Sequence, residues 1–137
     1  MRNTAKSLGI LAVAVTLSFA SAGAAWADIP FDQPITGNAT YYNDVGYGAC
    51  GTQIDASTQL LAAVPAAYWT TANPNNDPLC QGVSVRVSYQ GRTITVPVVD
   101  KCPSCDSTHV DLSAPAFSQL ADTDLGTIPV TWSFVHS

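Results

Sequence analysis

Three aspartates, one histidine and two cysteines crowd into eighteen residues, Val96 to Ser113, reading VPVVDKCPSCDSTHVDLS. Asp100 and Asp111 stand on either side of a CPSC turn, and His109 lies two residues before Asp111. Three chemistries fit these residue types. A pair of carboxylates separated by roughly 6.5–9.5 Å, one with a raised pKa, carries out inverting glycoside hydrolysis. A Cys-X-X-Cys pair does thiol–disulfide chemistry when one thiol sits at a helix N-terminus, which lowers its pKa. Cys102, Cys105, another Cys and His109 would make a zinc site. Redox chemistry is disfavoured because Asp106-Ser107-Thr108 follows the turn and the chain then reads as extended. Zinc is disfavoured if the chain is secreted, where cysteines pair. His109 by itself is more often a surface or packing residue. The plain alternative for both aspartates is local, with each carboxylate accepting hydrogen bonds from a neighbouring loop or helix start.

The N-terminus reads as a secretory signal. Arg2 and Lys6 give a basic start, Leu8 to Ala20 is apolar, and Ala25-Trp26-Ala27 has the small-x-small form of a cleavage site. Residues 1–27 are expected to be removed, residues 28–35 to form a loose leader, and 36–137 to form one domain. The apolar run is too short for a membrane span, and no Cys near the cleavage point offers a lipid anchor. The expected mature chain carries ten Asp against three cations, Arg86, Arg92 and Lys101, a net charge of −7. So acidic a protein repels phosphate backbones and anionic membranes, so neither nucleic acid nor membrane is an expected partner.

Cys50, Cys80, Cys102 and Cys105 allow three pairings. Their spacing favours Cys102–Cys105 as a local clip and Cys50–Cys80 as a longer staple. The longer loop contributes on the order of 3 kcal/mol in the chain-entropy account.

Short strands position these residues. Ile35 to Tyr42 reads as a strand, and Asn43 to Gly51, with three glycines, as a loop. Gln59 to Val64 is apolar and short enough for a buried strand, Pro65 to Trp69 could make one helical turn, and Thr70 to Pro78 is a polar loop. Val83 to Tyr89 alternates apolar and polar, Gln90-Gly91 supplies a two-residue turn, and Thr93 to Val99 returns, with Pro97 marking an edge or a bulge. After Thr108 to Leu112, Ser113 caps a helix over Ala114 to Ala121, with Pro115 in its first turn. Gly126 ends the following loop, and Val130, Trp132 and Phe134 alternate in a last strand. The fold class is mainly β: about six strands closed into a barrel, one or two short helices and two disulfides.

Four markers occur in order: Ala39-Thr40-Tyr41-Tyr42, Gly48-Ala49-Cys50-Gly51, Val99-Asp100, and His109-Val110-Asp111-Leu112-Ser113 before the helix. Together they resemble the double-psi β-barrel domains of rare lipoprotein A, expansins and barwin-like proteins, over about Thr36 to Val135. The VPAAYWTT, NPNNDPLC and DKCPSCDSTHVDLS stretches resemble most the small secreted Streptomyces inhibitors of papain-type cysteine proteases. That resemblance implies a secreted, non-enzymatic, monomeric inhibitor without cofactor or metal. Its partner would be a papain-type protease whose cleft it blocks. The expansin resemblance implies a groove for cellulose or peptidoglycan lined by Thr40, Tyr42, Asp100 and Asp111, with His109 beside them. Asp111 matches the aspartate required for wall loosening in bacterial expansins. Asp44 completes a Thr-x-Tyr-x-Asp element that carries the general base in related endoglucanases; alternatively it is a solvated turn residue. Some rare lipoprotein A relatives are lytic transglycosylases, a third reading. No Cys-His or Ser-His-Asp set is visible. The inhibitory loop is expected within Tyr41 to Tyr47 (Tyr41, Tyr42, Tyr47) or Thr70 to Asp77 (Asn73, Asn75, Asn76). Tyr68 and Trp69 join the aromatics that either pack or anchor a partner.

Overall fold

The structure, a computed structural model, describes residues 26–137. The expected signal segment lies almost wholly outside the described residues. Among the described residues, eight strands and one α-helix follow in order: β1 (Ile35–Tyr42), β2 (Val45–Tyr47), β3 (Gln53–Asp55), β4 (Ala62–Pro65), β5 (Val83–Tyr89), β6 (Arg92–Cys102), β7 (His109–Ser113), α1 (Ala114–Ser118) and β8 (Ile128–His136). Six of the strands close into a barrel in the order β1-β7-β4-β6-β5-β8, and β2 pairs with β3 in a separate hairpin. Inside the barrel, alternate residues such as Val85, Val87, Val96, Val110, Leu112, Ile128, Trp132 and Phe134 are buried. Each such side chain contributes about 1.5–3 kcal/mol by leaving water.

The β5–β6 hairpin forms as its alternation requires. Gln90 and Gly91 both take positive φ, 46° and 81°, and Tyr89 pairs with Arg92. In such a hairpin the residues flanking a two-residue turn exchange hydrogen bonds, and the pairs then alternate. Ser84 and Pro97 therefore fall in a pair that exchanges none, and the N–H that Pro97 lacks would have pointed away from β5. Pairing of β6 with β4 begins only at Val98. Pro97 thus sits at an edge, and a bulge follows directly. Ala62 faces Val98 while Ala63 faces Asp100, so Val99 is an extra residue. Ile94, Val96 and Val98 point inward. Without the extra residue the alternation would turn Asp100 inward as well; with it, Asp100 shares the outer face with Ala63.

Several expectations change. Residues 43–51 are not merely a loop, because Val45–Tyr47 pairs with Gln53–Asp55. The glycines that made this segment read as a loop serve it differently. A Cβ on Gly48 would lie 2.5 Å from the Val99 carbonyl oxygen, so the turn rests directly on the β6 bulge. The buried strand starts at Ala62, β6 continues past Val99 to Cys102, and the α-helix stops at Ser118 before a turn. The 28–35 segment is not loose throughout. Ile29 is buried, Phe31 bridges Phe134, and the Asp32 N–H donates to the Phe134 carbonyl at 2.8 Å. There the leader covers the part of β8 that β1 does not reach. Ser113 caps the helix as expected, accepting from the Ala116 N–H. Both favoured disulfides are present.

Asp77, which drew no attention in the sequence, organises the 70–80 loop. It is 1% exposed and accepts from the N–H groups of Thr70, Thr71 and Leu79 and from the Thr71 hydroxyl, at 2.8–3.1 Å. Burial raises its pKa, but the donors of Leu79, Thr70 and Thr71 outweigh burial and hold its carboxyl below the usual range. A lowered folded-state pKa gives stability that is full above the unfolded value, near 3.9, and is lost as pH falls through the folded one. Asp77→Asn is expected to cost about 2–4 kcal/mol at pH 7 in chemical denaturation, with the gap closing below about pH 4. An unchanged midpoint at pH 7 would contradict this.

Candidate functional site

Four adjacent strands carry one row of residues across the barrel surface. Thr40 on β1 faces Asp111 on β7, Asp111 faces Ala63 on β4, and Ala63 faces Asp100 on β6. Two inter-strand spacings, about 10 Å in all, separate the two aspartate backbones. The floor between them is the methyl of Ala63, which nothing in the sequence singled out. A small residue there leaves the groove open.

The two carboxylates differ in what holds them. Oδ1 of Asp100 accepts from the N–H groups of Ala49 (3.0 Å) and Lys101 (2.9 Å), and Oδ2 accepts from the Tyr42 hydroxyl (2.9 Å). Both oxygens are committed to fixing the glycine-rich turn, which is the local role its sequence position allowed. Burial, the Asp100 charge and the hydrogen bond to it push the Tyr42 phenol far above its usual pKa, so it stays a donor. Asp111 has one partner, the Thr40 hydroxyl at 3.1 Å, and Thr40 Oγ1 lies 2.7 Å from His109 Nε2. With the Thr40 hydrogen given to Asp111, Nε2 is the donor to Thr40. The Asp111 carboxyl is pushed up, chiefly by burial; Thr40 and His109 pull it down, and Asp100 and Asp44 push it further up.

Two open recesses flank the row. One, of about 300 Å³, is lined by Thr40, His109, Asp111, Asp106 and the CPSC turn. The other, of about 160 Å³, lies between Tyr42, Asp100, Asp44 and the β2–β3 hairpin. The groove residues expected from the sequence therefore come together, with Asp44 exposed at the rim. All four cysteines are in disulfides, so no thiolate is left to hold a metal, and the CPSC turn leads into β7 rather than a helix N-terminus.

The residues expected in the inhibitory loops divide. Tyr41 packs against Phe117, with ring centroids 5.1 Å apart, and Tyr42 forms a wall of the groove. Trp69 is buried and Tyr68 packs on Trp132 and Phe134, so both serve the core. Tyr47 stays outside, and Asn75 lies over Gly51, so the two loops expected separately meet there. Asn73 caps its own turn by accepting from the Asn75 N–H, and Asn76 is exposed beside it.

Residues 35–132 match the family model described as lytic transglycolase, and with this closed barrel the chain belongs to that double-psi β-barrel family. It is 62% identical over 99% of its length to the papain inhibitor of Streptomyces mobaraensis, covering 94% of that protein. The solved structure of a Streptomyces papain inhibitor aligns with a TM-score of 0.78 at 67% identity, over 79% of this chain and 99% of that one. A mutant of the Clavibacter michiganensis expansin, in complex with cellohexaose, aligns with a TM-score of 0.61 at 27% identity. That alignment covers 76% of this chain and 51% of the expansin.

Because its folded pKa is raised, ionised Asp111 costs stability at neutral pH, a cost that vanishes below the unfolded value near 3.9. Asp111→Asn is expected to melt at or above the wild-type temperature at pH 7, the difference disappearing below about pH 4. A lower melting temperature at pH 7 would contradict the assignment.

Proposed function

We propose that the chain is a secreted protein that inhibits papain-type cysteine proteases by binding, without turnover. The observation carrying this reading is the 62% identity to a papain inhibitor over nearly the whole of both chains. The basic start and apolar run at the N-terminus support secretion, as do the two disulfides, which persist outside the reducing cytosol. Of the carboxylates near Asp111, Asp100 is not free to serve as the second carboxylate of an inverting hydrolase, because both its oxygens are held by Ala49, Lys101 and Tyr42. Two staples in a small barrel make a rigid surface, which lowers the entropy lost on binding and resists the protease it meets.

The purified protein is expected to inhibit papain with a constant between nanomolar and micromolar. No inhibition at about 100 µM, where even a roughly 10 µM binder saturates, would overturn the proposal.

A second reading rests on the row Thr40-Asp111-Ala63-Asp100 and on the likeness to an expansin held with cellohexaose. The groove would then bind an extended cell-wall glycan, with Asp111 and Thr40 taking its hydroxyls. Retention on insoluble cellulose or peptidoglycan, weakened by Asp111→Ala, would support it. No retention on either polymer would exclude it.

A further inference from the structure

We infer that the protease-binding surface is a single epitope, made by the outer face of the β2–β3 hairpin together with the Asn73–Asn76 turn, and that Val45 and Tyr47 are its anchors. The inference rests on the inhibitor reading above and names the surface that reading leaves open.

The hairpin has two faces. Gly46 pairs with Ile54 on the inner one, where Ile54 is buried with Ala56 and Leu61 and packs on Tyr42 and Val99. This small second core sets the hairpin on the barrel. The outer face alternates with it and carries Val45, Tyr47, Gln53 and Asp55. Tyr47 is 79% exposed and Val45 65%, the two most exposed large apolar side chains among the described residues. Val and Tyr suit a strand, but at this exposure neither buries its apolar surface within the protein. Aromatic and apolar side chains presented this way on a fixed backbone are what interface anchors are made of.

The fixing is unusually complete for so short a hairpin. The Gly48 N–H donates to the Thr52 carbonyl (2.9 Å) and the Gly51 N–H to the Gly48 carbonyl (3.0 Å), closing the turn on itself. The Cys50 N–H reaches the Val99 carbonyl (3.3 Å) and the Ala49 N–H reaches Asp100 (3.0 Å), bolting the turn to the β6 bulge. Cys50 is joined to Cys80, the end of the Asn-rich loop. Asn75 sits against Gly51, whose missing side chain admits it; a Cβ there would lie 2.8 Å from the Asn75 amide carbon. Asp77 holds the rest of that loop from within. The hairpin and the loop are thus joined to each other by a disulfide and a direct contact.

Shape selects this surface over the others. Enzyme active sites are concave, so a blocking protein must offer a projection. The recesses beside the CPSC turn and between Thr36, Tyr89, Gln90 and Pro129 are hollows, and the third recess is the one whose outer wall the hairpin itself raises with Val45 and Tyr47. A hairpin outside the barrel sheet, seated on it by Ile54 and carrying two exposed apolar side chains along the wall of that recess, fits a cleft. Leu125, 57% exposed on the loop before β8, is an isolated apolar residue and serves as a control.

Inhibition of papain by the secreted protein, read with a fluorogenic peptide, tests the epitope. Tyr47→Ala and Val45→Asp are each expected to raise the inhibition constant about 30-fold or more, and Leu125→Ala to change it by less than about threefold. Melting temperatures near wild type would show that these exposed positions leave the fold intact. Wild-type inhibition retained by both hairpin variants, or lost equally in Leu125→Ala, would overturn the epitope and leave the inhibitor reading standing. No inhibition by the wild-type protein would overturn both.

Discussion

One extra residue in β6 decides how this barrel presents its surface. Strand alternation sends Ile94, Val96 and Val98 into the core, and it would send Asp100 after them. Val99 breaks the count, since Ala62 faces Val98 and Ala63 faces Asp100. A carboxylate that would have been buried among apolar side chains emerges on the outer face, beside the phenol of Tyr42. The same irregularity makes the Val99 carbonyl available to the Cys50 N–H and brings it so near Gly48 that no side chain fits there. The groove, the glycine-rich turn and the hairpin above it are all referred to this one position.

The aspartates of the chain then do different work. Asp77 and Asp100 are clamps, each surrounded by backbone N–H groups that organise a loop. Asp111 gains little from its neighbours. Burial raises its pKa, and a single hydroxyl answers it. A carboxylate held against its preference is what a functional or inherited site leaves in a stable fold. The row Thr40-Asp111-Ala63-Asp100 and the hairpin lie side by side on one small body.

Much of this was legible in the residues. Alternation over Val83–Tyr89 with Gln90-Gly91 gave the hairpin, Ser113 and Pro115 gave the helix start, and cysteine spacing gave both disulfides. These are local signals, complete within a few residues. What escaped depends on distant partners. The β2 and β3 strands are three residues each and carry too little pattern to show a period. Ala63 matters only because two aspartates from other strands flank it. Asp77 looks like any Asp-Pro turn until its four donors close around it. Pro97 did signal an edge or a bulge, but the flip of Asp100 appears only when β4 is laid beside β6. Tyr41 and Tyr42 read as loop candidates, and Tyr68 and Trp69 as residues that either pack or anchor, because composition does not distinguish an aromatic that packs from one that projects.

A hairpin bolted to the β6 bulge, together with the Asn-rich loop stapled to it, is the surface we propose for the protease cleft. Amide hydrogen exchange of the protein, alone and with active-site-blocked papain added in excess at high concentration, measures this directly. The account predicts new protection over residues 45–53 and 73–77, with residues 104–109 unchanged. Protection confined to the CPSC turn and His109, with the hairpin exchanging as in the free protein, would contradict it.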